Sequence, residues 1–178
     1  MSAAEDLDRL QQQIVDGEIE QTSFGSPEHG RLVELMMCDY FGLEHTDLSD
    51  SDARDSDGRK WQIKGCRVEH SNGGDTTTPG RWDVWSDPLV SLLHDDGGYL
   101  LVVYNGDIEP GEVTRERFDD YILAWKFVDA ADFGALIDPG AWHDGNRDKG
   151  SKARLSWPHV FDGRSEERRV GKECPSPC

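Results

Sequence analysis

The sequence predicts an α/β fold, a sandwich of helices around a small mixed sheet. Three observations carry this expectation. Helical and strand periodicities alternate along the chain. Residues 99–104, YLLVVY, form a continuous apolar run of strand length, as strands buried on both faces do. Residues 52–65 read as a hairpin closed by a turn that contains Gly58.

Taken in order, Leu7, Leu10 and Ile14 stand at helical spacing within 3–16, and 17–25 reads as a loop. Ser26 as cap and Pro27 at the first position open a second helix. It runs through Leu32, Val33, Leu35, Met36 and Met37 and stops at Gly42. A polar stretch, 44–51, leads into the hairpin, and 69–80 is expected to be a flexible polar loop. Asp87-Pro88 starts a short helix carrying Leu89, Val90, Leu92 and Leu93, which Gly97-Gly98 ends. After the run at 99–104 come a second strand over 122–128, a short helix over 129–137, and an apolar patch at 154–161 that suits an edge strand or a docking segment. Cys38 and Cys66 are solitary and read as reduced, packed thiols. Trp82, Trp85, Trp125 and Trp157 are expected in core or edge packing.

The chain holds 36 Asp plus Glu against 19 Lys plus Arg, a net charge of −17. Taken alone, this disfavours nucleic acid as a partner, since phosphate affinity comes mainly from Lys and Arg. The acidity is diffuse, however, and Asp outnumbers Glu. That pattern points to a halophilic, haloarchaeal source, where the Debye length shrinks to roughly 3 Å at 1 M salt. Under such screening, local placement of Arg and Lys says more than net charge. The run 164–174, RSEERRVGKEC, is basic where the rest is acidic and reads as a translated sequencing adapter, so 164–178 is taken as a non-native tail. A single domain is expected over 1–163. No stretch approaches the ~20 apolar residues of a membrane span, and 1–8 lacks a basic start with an apolar run. A soluble, cytoplasmic protein is therefore expected.

The hairpin carries the chemistry. A two-residue loop, Asp57-Gly58, would set Asp55 opposite Lys60; a three-residue loop sets Asp52 opposite Gln62. The longer loop is favoured, because Gly58 then takes the left-handed position and Asp55 the first turn position. Asp52 is the preferred metal ligand and Asp55 the alternative. Gln62 and Lys64 project from one face, while Trp61 and Ile63 point into the core. Magnesium takes hard oxygen ligands. Asp52 would supply an anionic oxygen and Gln62 a neutral one. Lys64 could orient or deprotonate the attacking water, and Glu34 could add a carboxylate through a water. Against this, a chain with 23 Asp places one ten positions before a Lys by chance. Residues 60, 62 and 64 could equally be the wet face of a strand.

Glu34 on a helix ending at Gly42, then Asp52-Ala53-Arg54-Asp55-Ser56-Asp57-Gly58, then Gln62-Ile63-Lys64, resembles the PD-(D/E)xK nuclease superfamily. The Gln-x-Lys form is similar to Mrr-type restriction enzymes. The resemblance covers 28–66 closely and 99–104 as the following core strand; beyond about residue 120 it is architectural. It implies a restriction endonuclease-like α/β/α sandwich and a magnesium-dependent DNA endonuclease of restriction or repair type. The functional residues it implies are Glu34, Asp52, Gln62 and Lys64, with Mg2+ on Asp52, Gln62 and Glu34, and a homodimer where both strands are cut. Ser51 replaces the motif's proline, and Gln62 replaces a carboxylate. The second change leaves open a non-catalytic nucleic-acid or protein-binding module on a degenerate nuclease fold. Arg67 and His70, directly after the lysine, and Arg81, after the Gly/Thr loop, are candidate contacts to backbone phosphates or partners for surrounding acids.

Overall fold

The computed structural model describes residues 2–17, 27–49, 51–71, 74–145 and 148–161. Most of the loop expected at 17–25, the cap Ser26 and the tail 164–178 lie outside the described residues. Helix α1 (Ala3–Val15) opens on a capping box in which Ser2 and Glu5 satisfy each other's backbone N–H groups. It buries Leu7 and Ile14 against α2 (Pro27–Phe41). Leu32, Val33, Leu35, Met36, Met37 and Cys38 make α2 almost wholly buried, and Gly42 at φ +66° follows its end.

A five-stranded mixed sheet lies beneath these helices in the order β1 (Glu44–His45), β2 (Ala53–Arg54), β3 (Lys60–Arg67), β7 (Gly98–Tyr104), β8 (Ile122–Asp129). Strands β3 and β7 are parallel and the other pairs antiparallel. Every residue of β7 is buried, as its apolar run requires. One face of the sheet, with Trp61, Ile63, Leu100 and Val102, packs on α1 and α2. The other, with Cys66, Tyr99, Leu101 and Val103, packs on α3 (Ser86–His94), α5 (Ala130–Ala135) and a two-stranded ribbon of β6 (Arg81–Trp85) and β9 (Lys152–Ser156). A single-turn helix, α4 (Phe118–Tyr121), leads into β8. This is the α/β sandwich expected. Cys38 and Cys66 are free and buried.

Two expectations are corrected, and one segment left without a reading proves to be a strand. Residues 69–80 are not a plain loop: β4 (Glu69–Ser71) and β5 (Thr77–Pro79) pair as a hairpin. The segment after it is a strand, β6, in which Trp82 and Val84 point inward. The apolar patch at 154–161 splits, since β9 begins at Lys152, ends at Ser156 and gives way to a 3-10 turn, Trp157–His159. Trp82 and Trp125 are core residues, whereas Trp85 is half-buried beneath Lys149 and Lys152.

Candidate functional site

The β2–β3 hairpin has the three-residue loop. Ala53 pairs with Trp61 and Arg54 with Lys60, which leaves Ser56, Asp57 and Gly58 as the loop between Asp55 and Arg59. Gly58 takes φ +81°, a conformation that side chains disfavour. The same register places Asp52 opposite Gln62. Asp55 is occupied: its carboxylate accepts from Asp57 N, Arg59 N and Trp61 Nε1, each at 3.0 Å. It holds the turn, and the alternative of Asp55 as a ligand is not what this geometry offers.

The ladder between β2 and β3 ends at Asp52, whose N–H still donates to Trp61 O (2.9 Å). The next donor on that edge of β3, the Ile63 N–H, is taken by Asp52 Oδ2 (2.8 Å). The carboxylate is thereby fixed at the point where the strands part, and its other oxygen takes no hydrogen bond from the described residues. Burial raises its pKa, opposed by the Ile63 N–H and by the charges of Lys64 and Arg31.

Gln62 and Lys64 alternate with the buried Trp61 and Ile63, as strand geometry requires. Oε1 of Gln62 is buried and finds no hydrogen-bond partner among the described residues. Its register neighbour on β7, Tyr99, carries a buried hydroxyl that is likewise unpartnered. Such atoms are rare in folded proteins and ask for a partner outside the chain's own atoms. Burial lowers the pKa of Lys64, while Asp52, Asp83 and Glu34 favour its charged form and Lys149 opposes it.

Glu34, on α2, lies near enough to feel the charges of Asp52 and Lys64. Burial, then the charge of Asp52, pushes its pKa up to about 7, against the pull of Arg31. Arg31, one turn earlier on the helix, donates to Glu34 Oε2 (3.4 Å), Asp47 Oδ1 (3.0 Å) and His45 Nε2 (2.8 Å). His45 Nε2 accepts that bond, consistent with a pKa lowered by burial and by Arg31. Thus the charges of two carboxylates and a lysine, all largely buried, influence one another beside the buried amide oxygen of Gln62. Among the described residues, His, Cys, Asp and Glu nowhere gather in groups of three suited to a metal ion. The set here is two carboxylates and an amide, all hard oxygens of the kind a divalent cation takes.

A cleft of about 410 Å³ opens on the Lys64 side. Arg67, His70 and Arg81 all line it, so the structure brings the three candidate phosphate contacts together beside the lysine. Glu34, Asp52 and Gln62 are not among its lining residues. Arg154 and Asp83, from the ribbon, complete its wall. Sequence reasoning missed these two, along with Arg31 and Tyr99. Arg31 had a readable signal, a basic residue three positions before Glu34 on one helical face. The others depend on strand partners distant in the chain.

Comparison with curated proteins finds no match. A family model described as the PD-(D/E)XK nuclease superfamily domain matches residues 20–162, which include all four residues of the hairpin-and-helix group, and the chain belongs to that superfamily.

Proposed function

We propose that this chain is a magnesium-dependent DNA endonuclease of restriction or repair type, working in concentrated salt, with Glu34, Asp52, Gln62 and Lys64 as its active site. Superfamily membership supports a nuclease acting on nucleic acid. The observation that carries the finer reading is the buried Gln62 Oε1, opposite Asp52 and without a hydrogen-bond partner among the described residues. An amide oxygen left this way costs about 1–3 kcal/mol, a cost that a cation held by Asp52, Gln62 and Glu34 removes. When bound, the metal supplies Lewis-acid stabilisation of phosphoryl charge and lowers the pKa of a water.

The chain's own residues do the remainder. Asp52 is held in place by the Ile63 N–H. Lys64, with its pKa lowered by burial, can orient the attacking water and exchange a proton at Nζ. Arg67, His70 and Arg81 contact backbone phosphates from the cleft. A homodimer is expected if both strands of a duplex are cut.

A plasmid-nicking assay in magnesium at high salt tests this, with wild type beside Lys64→Ala. Wild type should relax and linearise the plasmid, EDTA should stop it, and Lys64→Ala should lose on the order of 10²–10⁴ in rate. Equal activity in the two proteins would remove Lys64 from the mechanism. Wild type that binds DNA without cutting it would instead support the degenerate, non-catalytic module, for which Gln62 in place of a carboxylate is the specific ground.

A further inference from the structure

Positive charge in this acidic chain is mostly neutralised where it stands. Arg9, Arg31, Arg59, Lys60, Arg115 and Arg117 each pair with a carboxylate. The cleft beside Lys64 is different. Its lining holds four cations, Lys64, Arg67, Arg81 and Arg154, against one carboxylate, Asp83. Among the described residues, Lys64, Arg67 and Arg81 make no contact ion pair. Asp83 is shared, bonding Lys152 (2.7 Å) and Arg154 (3.2 Å) across the ribbon. A local excess of cations in a chain of net charge −17 is a binding feature, because average composition works against it.

The walls are close and fixed. β3 and the first turns of α2 form the floor, the β4–β5 hairpin brings His70 and Pro79, and the ribbon brings Arg81, Asp83 and Arg154. Gly80 joins hairpin to ribbon, and a Cβ there would stand 1.7 Å from the Arg67 carbonyl oxygen. The guanidinium of Arg67 is pinned by a bond from Nη2 to Gly106 O (3.0 Å). A space of about 410 Å³ cannot admit a base pair together with both of its backbones, so a strand that enters it has to be parted from its complement. One sugar–phosphate with its base fits.

We propose that this cleft takes the backbone of a single DNA strand, with Arg67 and Arg81 on phosphates flanking the cut and Arg154 on the next, so that the enzyme acts on unpaired or frayed strands rather than within a duplex. The inference rests on the reading of Lys64 as the cutting site. Asp83 then acts as a positioning residue, holding Arg154 toward the strand.

Fluorescence anisotropy in EDTA, over a KCl series, tests this with a labelled single-stranded dodecamer and the same sequence as a blunt duplex. The single strand should bind at least about tenfold tighter than the duplex. Arg81→Gln and Arg154→Gln should each weaken it several-fold and reduce the salt slope by about 0.7, the loss of one phosphate contact to a single strand. Lys126→Gln, on the exposed face of β8, should bind as wild type does. Duplex binding as tight as single-strand binding, or an Arg81→Gln protein with unchanged affinity, would overturn the proposal. Because the binding is read without metal, its failure is separable from that of cleavage. A protein that prefers the single strand but cuts neither the plasmid nor the single-stranded dodecamer in magnesium supports this inference while refuting catalysis; one that nicks the plasmid and prefers duplex does the reverse.

Discussion

Two aspartates three positions apart on one hairpin have opposite duties, and their hydrogen bonds say which is which. Asp55 gives its carboxylate to three donors within the turn. Asp52 gives one oxygen to the Ile63 N–H and keeps the other available. Asp55→Ala leaves three donors without their acceptor and should lower stability by ~3 kcal/mol or more, with or without magnesium. Asp52→Asn keeps an oxygen for Ile63 and should fold, yet lose cleavage. Urea denaturation beside the nicking assay separates the two; an Asp55→Ala protein as stable as wild type would show that the turn does not depend on it. Glu34 carries the complementary cost. Its folded-state pKa of about 7 lies above the ordinary carboxylate value of 4.5, so the folded chain binds a proton that the unfolded chain has released. Stability is therefore complete below pH 4.5, falls as pH rises through 7, and stays reduced above it. Without divalent metal, Glu34→Gln should raise stability at pH 8 by up to about 3 kcal/mol and leave it unchanged at pH 4. Parallel denaturation curves at both pH values would rule out a buried, raised carboxyl at this position.

At the level of elements, what could be read from the sequence was what local chemistry dictates. The hairpin register followed from two local requirements, a left-handed residue at Gly58 and an aspartate at the first turn position, Asp55, and together they set Asp52 opposite Gln62. The buried strand at 99–104 was legible because both faces are apolar. Glu34 could be assigned only by residue type, since its approach to Asp52 depends on how α2 crosses the sheet. The ribbon was not legible at all. β6 is five residues long, and its partner β9 lies some seventy positions away, so no local signal announces the pairing. The β4–β5 hairpin was hidden by its Gly, Thr and Asn content, and its strands pair only with each other. Yet ribbon and hairpin make the walls of the cleft, and Gly80 is the joint between them. Its N–H donates to Val68 O (3.3 Å) and its carbonyl accepts from Trp157 N (3.2 Å). Gly80→Ala would drive a methyl into the backbone of Arg67, and backbone cannot step aside as a side chain can. The expected result is a loss of about 1–3 kcal/mol, with weaker strand binding than that of an equally destabilised core variant such as Leu7→Ala on α1. Equal binding losses in the two would mean that the joint does not shape the cleft.

For the molecule as a whole, salt should act in opposite directions on stability and on binding. A net charge of −17 makes like-charge encounters outnumber attractive ones, and compaction brings them closer. The ion pairs that salt would also weaken, such as Arg9–Asp6 and Arg115–Asp39, are exposed and worth about 0–1 kcal/mol each. Screening therefore removes more repulsion than attraction. As the Debye length falls from ~30 Å at 0.01 M to ~3 Å at 1 M, Tm should rise, by about 2–4 °C for each kcal/mol recovered. KCl and NaCl should act alike, and sucrose at equal osmolality should not reproduce the effect, because screening and not exclusion from the surface is the cause. The cleft responds the other way, since each phosphate contact releases a counterion and so weakens as salt rises. Melting curves and anisotropy over one KCl series should cross: a fold gaining stability while its hold on a strand declines. A Tm that is flat or falling over that range would mean that the surface acids are already balanced within the fold, and the acidic composition would then need an explanation other than salt.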